Sequence, residues 1–351
     1  MKKTLLALAA VAASSAAFAQ SSVTLYGVVD ASLESVKGDK TVTRVSSDNL
    51  ASSRLGFKGS EDLGGGMKAN FVLEAALAVD TGETKPRFFD RAAWVGVSGG
   101  FGELRFGRQD SAIGLLAGNT SILGAQAYDD LKIAKTFSGD AYRRVDNSIT
   151  YVLPKFVDGL SAQAQYSTAA GSSSTPGAEN ADKIGSNYGV NVQYAASGFS
   201  AGLGYIQAKR STTVDDTGLL AYLGYDFGVA KLTGYFEQDK RDGAAEKLQV
   251  VGGRLDVPFG KDFKLQASYS QVKDHSFSAV DTNGDDAKIV ALKGVYTLSK
   301  RTSVYALFTN VKNDKGSTLG FAGTHATDPK KALTAGDKSA RGFAIGLSHK
   351  F

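Results

Sequence analysis

The 351-residue sequence predicts an all-β fold: sixteen antiparallel strands closed into a transmembrane β-barrel. Three observations predict it. Apolar and polar residues alternate with period two through most of the chain, the mark of strands with two different faces. Short turns and long polar loops take turns between those strands. Tyrosines gather on the apolar faces, mostly near strand ends, where a membrane interface places them.

The chain opens with an address rather than a strand. Lys2 and Lys3 give a positive region, Leu5 to Ala13 an apolar run, and Ala17-Phe18-Ala19 a small-residue cleavage site. Residues 1–19 are therefore expected to be a cleaved signal peptide, and 20–351 one barrel domain. A membrane anchor fits poorly, because the apolar run is short and ends at Ser14 and Ser15. No later stretch approaches the roughly 18 apolar residues of a membrane helix. Export leads to an oxidising compartment, yet the chain has no cysteine, so packing and backbone pairing must hold it together. Removing Lys2 and Lys3 leaves 38 basic and 35 acidic residues, a formal charge of +3. That balance, with the charges scattered, excludes a nucleic-acid binder. The 41 Gly, 14 Tyr and 19 Phe suit strands and turns, not helices.

In order, the strands fall at about 22–36, 52–60, 66–79, 90–98, 102–109, 143–153, 158–168 and 187–197, then 198–208, 217–227, 228–239, 246–257, 261–273, 286–299, 300–311 and 339–351. In the first, Val23, Leu25, Gly27, Val29, Ala31 and Leu33 face away from Thr24, Tyr26, Asp30 and Glu34. Strands two to five turn Leu55, Phe57, Phe71, Leu73, Leu77, Trp94, Leu104 and Phe106 outward. Strand seven alternates Leu160, Ala162, Ala164 and Tyr166 with Ser161, Gln163, Gln165 and Ser167. Strands eight and thirteen repeat the pattern through Tyr188–Tyr194 and Phe263–Tyr269. Even-numbered strands end in short turns such as Ser197-Gly198 and Phe259-Gly260; odd-numbered ones end in loops such as 169–186 and 312–338. The last strand places Phe343, Ile345 and Leu347 outward and stops on Phe351. In a closed barrel it must pair with the first strand, since an open edge in lipid leaves backbone groups unpaired. A soluble sandwich also alternates, but explains neither the aromatic placement nor the turn rhythm.

The stretches "VTLYGVVDASL" (23–33), "SSRLGFKGSEDLGGG" (52–66), "RAAWVGVSGGFGELRFGRQ" (91–109), "RVDNSITYVLP" (144–154) and "GLSHKF" (346–351) resemble the general porins of beta-proteobacterial outer membranes. The resemblance covers the whole mature chain. It implies a homotrimer in outer-membrane lipid and lipopolysaccharide. Each subunit would hold a water-filled pore, narrowed by the third long loop, that passes small hydrophilic solutes.

That loop, 110–142, is rich in Ala, Gly, Leu and Ile, unlike a loop lying on the surface. It reads as folded into the barrel; the alternative is a cover for a neighbouring subunit. Its acids, Asp110, Asp129 and Asp130, are the candidate acidic side of the constriction. On the wall, parity turns Arg54, Lys58, Arg105 and Arg144 inward, and Arg91 sits on a polar face. Arg54, Arg91 and Arg144 also match the motif positions where the resembled porins carry constriction arginines. Guanidinium groups stay charged and pair with carboxylate and phosphate oxygens, so mild anion preference is expected. For any one arginine, a salt bridge within the wall is the competing reading. Lys68 and Lys293 face the pore by parity, away from its narrowest point.

No tyrosine occurs between Tyr26 and Tyr128, so the wall of strands two to five, with strand sixteen, is the expected subunit contact. No catalytic, metal or cofactor site is expected: the three histidines neighbour no nucleophile motif, and "DTNGDDAK" (281–288) lacks the full calcium-loop pattern. A substrate-specific channel and a structural or adhesive barrel remain as alternative functions.

Overall fold

The computed structural model describes residues 22–38, 40–84, 87–123, 126–168, 183–245, 247–274, 284–321 and 339–351. The expected signal peptide, residues 1–19, lies outside them, as do Asp281, Asn283, His275 and His325. Seventeen strand segments form one antiparallel sheet. They are β1 (Ser22–Lys37), β2 (Thr41–Ser47), β3 (Arg54–Gly64), β4 (Met67–Ala76), β5 (Ala92–Gly99), β6 (Gly102–Asp110), β7 (Arg144–Val152), β8 (Leu160–Ser167) and β9 (Asn187–Ala196). Then come β10 (Phe199–Lys209), β11 (Asp215–Asp226), β12 (Lys231–Arg241), β13 (Leu248–Phe259), β14 (Phe263–Lys273), β15 (Ala287–Thr297), β16 (Thr302–Asn313) and β17 (Ser339–Lys350).

The barrel nonetheless has sixteen strand positions, because β2 and β3 share one. The lower half of β1 pairs with β3 (Val28↔Arg54) and its upper half with β2 (Ala31↔Ser47). Between them the chain leaves the ladder at Asp48, whose φ is 69°, and rejoins at Arg54. The excursion is fixed by Asp30: its Oδ1 accepts the N–H of Asn49 at 3.0 Å and of Leu50 at 3.3 Å. The segment 41–47 was expected to be loop and is strand.

Closure is at β1–β17, with Val28 opposite Lys350 and Lys37 opposite Arg341. Phe351 extends the seam by one rung, its N–H donating to Gly27 O at 3.2 Å and its carbonyl accepting from Gly27 N at 3.1 Å. Ser197 and Gly198, with φ of 51° and 82°, make the two-residue β9–β10 turn whose handedness matches sheet twist.

Outside, the barrel is apolar. Leu25, Val95, Leu203, Leu223, Val251 and Ile345 are all exposed. Tyr151, Tyr166, Tyr188, Tyr225, Tyr269 and Tyr296 stand among them, as alternation predicts. Such a surface is an aggregation hazard in water and a solvated one in hydrocarbon. Among the described residues, no helix is long and apolar enough to cross a membrane. The buried apolar cluster lies within the barrel, where the 111–143 segment meets the wall.

Candidate pore constriction

Segment 111–143 folds inward, as its composition predicts. Ile113, Leu116, Leu131 and Ile133 are at most 1% exposed. Its regular pieces are α1 (Ala117–Thr120), α2 (Asp130–Ile133) and a π-turn (Phe137–Ala141). Strand glycines make room for it: a Cβ on Gly204 would stand 3.3 Å from Leu116, and one on Gly342 would stand 2.6 Å from Tyr128.

Wall side chains then satisfy backbone groups that burial would leave orphaned. Asn191 Nδ2 donates to Ala112 O at 2.7 Å, and Arg254 Nη1 to Thr120 O and Ser121 O at 3.0 and 2.8 Å. Lys293 Nζ donates to Ile122 O. Thr309 Oγ1 donates to Tyr128 O at 3.0 Å, while Phe137 N and Ser138 N donate to Asp239 and Glu237 at 2.7 and 2.9 Å. These anchors run from β9 round to β16, so the loop lies against that side. Lys293 was expected to face open pore and instead holds the loop. Replacing Arg254 and Lys293 together by Met orphans three carbonyls at about 1–3 kcal/mol each. Current fluctuations of the open channel and proteolytic cleavage within 111–143 should both rise; unchanged records would show that the loop does not depend on these bonds.

The β3–β7 wall stays uncovered and carries the arginines. Arg54 Nε lies 3.6 Å and Arg91 Nε 2.6 Å from the two oxygens of Glu74, whose Oε2 also accepts from Tyr26 Oη at 2.8 Å. Arg144 Nε and Arg143 Nε lie 3.1 and 3.7 Å from Asp110. Arg105 pairs with Glu103 at 2.5 Å and stacks over Trp94, 4.6 Å from the ring centre. Glu74, Arg91, Trp94, Arg105, Asp110 and Arg144 line one cavity with Leu115 of the loop. Four guanidinium groups of the wall, with Arg143 at the end of the loop, thus face three carboxylates, a local excess of two positive charges.

Of the residues expected at a constriction, Arg54, Arg91, Arg105, Arg144 and Asp110 come together. Lys58 does not line this cavity; it lies 5.4 Å over the ring of Tyr26, whose hydroxyl donates to Glu74. Asp129 and Asp130 do not line the opening; both are at most 1% exposed. Asp129 caps α2 by accepting the N–H of Leu131, and Asp130 accepts from Tyr235 Oη. Burial, then the neighbouring Asp130 carboxylate, holds the Asp129 carboxyl above the usual carboxylate range. Trp94 was expected to face lipid and faces inward, opposite Val72 and Gly107, while its neighbours Val95 and Phe106 pair on the outer face. Glu74 was missed, though it is the one acid in "NFVLEAALAV" and lies directly opposite Gly56 on the inward parity. Asp285 and Asp286, in the loop of calcium-like composition, gather with Asp274.

A closed barrel with an apolar outside and a charged opening beside its own inward loop defines a channel-forming outer-membrane protein. The chain belongs to the Gram-negative porin family, which it matches over residues 5–316. The family resides in the Gram-negative outer membrane, and so does this chain. It is 34% identical to outer membrane porin protein 32 of Delftia acidovorans over 380 residues, covering all of both chains. It is 28% identical to the major outer membrane protein P.IB of Neisseria meningitidis serogroup B over 370 residues, again covering both. The solved anion-selective porin from Comamonas acidovorans superposes with a TM-score of 0.78 at 27% identity, over 95% of this chain and 100% of that one. OmpT of Vibrio cholerae in its trimer form shares the fold, with a TM-score of 0.65 at 18% identity over 94% of this chain and 99% of that one.

Proposed function

We propose that the chain is a general diffusion porin: a non-enzymatic, water-filled channel for small hydrophilic solutes and ions with mild anion preference. The observation that carries this is the excess of guanidinium groups over carboxylates around one opening, on the β3–β7 wall and at the end of loop 111–143. An anion entering exchanges part of its water for guanidinium N–H groups, which bind carboxylate and phosphate oxygens in matching geometry. Glu74, Glu103 and Asp110 hold the arginines in place and cut their net charge, so the anion is attracted without being trapped. The anion selectivity named for the Comamonas relative supports the same sign.

The channel works as a homotrimer surrounded by outer-membrane lipid and lipopolysaccharide, with residues 1–19 removed on export. The wall of β3–β6, extended by β17, is the subunit contact: Val95, Phe106, Phe343 and Ile345 are all exposed there, and these five strands contain no tyrosine. Phe351 closes the barrel at its periplasmic end. Purified protein in a planar bilayer should conduct in proportion to salt concentration. Saturation by one solute would favour a substrate-specific channel, and no conductance would leave only a structural barrel.

A further inference from the structure

The protein's single tryptophan is spent in an unexpected place. In a membrane barrel the lipid interface is the usual station for this side chain. Trp94 instead points into the water-filled interior, with Arg105 stacked on its face at 4.6 Å and locked there by Glu103 at 2.5 Å. Across the same cavity stands Leu115, an apolar side chain that remains 37% exposed although it belongs to the inward loop. The cavity's volume is about 190 Å³. That is below the roughly 300–1,000 Å³ of sites for drug-sized ligands, and suits a solute of one ring.

The chemistry of the lining is divided. One part is flat and apolar: the indole, the exposed face of the stacked guanidinium, and Leu115. The other is cationic: Arg91 and Arg144, each paired with a carboxylate through Nε (Glu74 at 2.6 Å, Asp110 at 3.1 Å); each guanidinium also carries terminal Nη donors suited to a second anion. A small inorganic anion uses only the second part. A carboxylate attached to a planar ring uses both, because rings stack on indole and on guanidinium faces.

Resting on the anion-channel reading above, we infer that Trp94, Arg105 and Leu115 form a shelf in the constriction that retains single-ring aromatic monocarboxylates in preference to non-planar acids of equal charge. The shelf makes the channel selective by shape within a set of equally charged solutes, which net charge alone does not do.

The test uses full-length protein in planar bilayers carrying chloride current, with benzoate and cyclohexanecarboxylate added as blockers of equal charge and similar size. Benzoate should half-block the current at a concentration roughly three- to tenfold lower. Trp94→Leu should bring the two half-blocking concentrations together, while Trp94→Phe, which keeps a ring, should retain most of the difference. Equal block by the two acids in the unaltered protein overturns the inference, whatever the variants do, and so does a ratio that survives Trp94→Leu. Absence of block by either acid overturns it too. The chloride/potassium reversal potential recorded in the same bilayers judges the anion-channel reading separately, because the ratio compares solutes of one charge.

Discussion

Replacing Arg91 and Arg144 together by glutamine should abolish the anion preference. Three guanidinium groups would then face the same three carboxylates, and Glu74 and Asp110 would each lose a cation that stands 2.6 or 3.1 Å away. A unit charge at about 4 Å in water is worth roughly 1 kcal/mol, or about fivefold in local ion concentration. Losing two such charges is enough to take a mild preference to none or to its opposite. Screening by salt reduces the effect, so it should be largest in dilute electrolyte. The barrel should tolerate the change: both side chains project inward, and Arg91's backbone bond to Glu74 O is kept. Anion preference that persists undiminished in this variant would mean the selectivity resides elsewhere on the path.

Gly27→Val should abolish assembly rather than alter selectivity. A Cβ at Gly27 would stand 2.2 Å from the Phe351 ring and 2.6 Å from the Arg54 carbonyl oxygen. Gly27 is also the residue through which Phe351 joins the seam, by both of its backbone groups. A barrel that cannot close exposes ladder groups to hydrocarbon, at several kcal/mol each. The heat-modifiable mobility of folded barrel on gels should vanish. Adding Phe351→Ala removes the ring but not the Arg54 carbonyl, so the double variant should stay defective. Full recovery in the double variant would assign the whole effect to the terminal ring.

Much of this was legible in the sequence because lipid enforces a simple rule. Every strand must turn one parity outward, so Tyr166, Tyr188 and Tyr269 announce themselves by alternation alone. The seam at Phe351 followed from the same rule. What alternation misses is where the ladder breaks or where the larger residue faces in. Alternation does not show segment 41–47 as strand, because the chain bulges inward at 48–53 and breaks the period of two before Arg54. Trp94 defeats the rule because its size and apolarity outweigh those of Ala93, Val95 and Val97, which nonetheless form the outer face, and only the pairing with Val72 and Gly107 settles its side. Loop acids have no parity. Asp129 serves as a helix cap and Asp130 as a partner of Tyr235, roles set by tertiary packing that spacing does not encode. Glu74, by contrast, is readable from alternation: an isolated acid on an inward parity opposite Arg54's strand has nowhere to go but the pore.

The reversal potential of the unaltered channel under a potassium chloride gradient reads the anion preference of the constriction without any substitution. A potential of the sign set by chloride is expected, decreasing in size as the mean salt concentration rises and the arginines are screened. A potential of the sign set by potassium would contradict it.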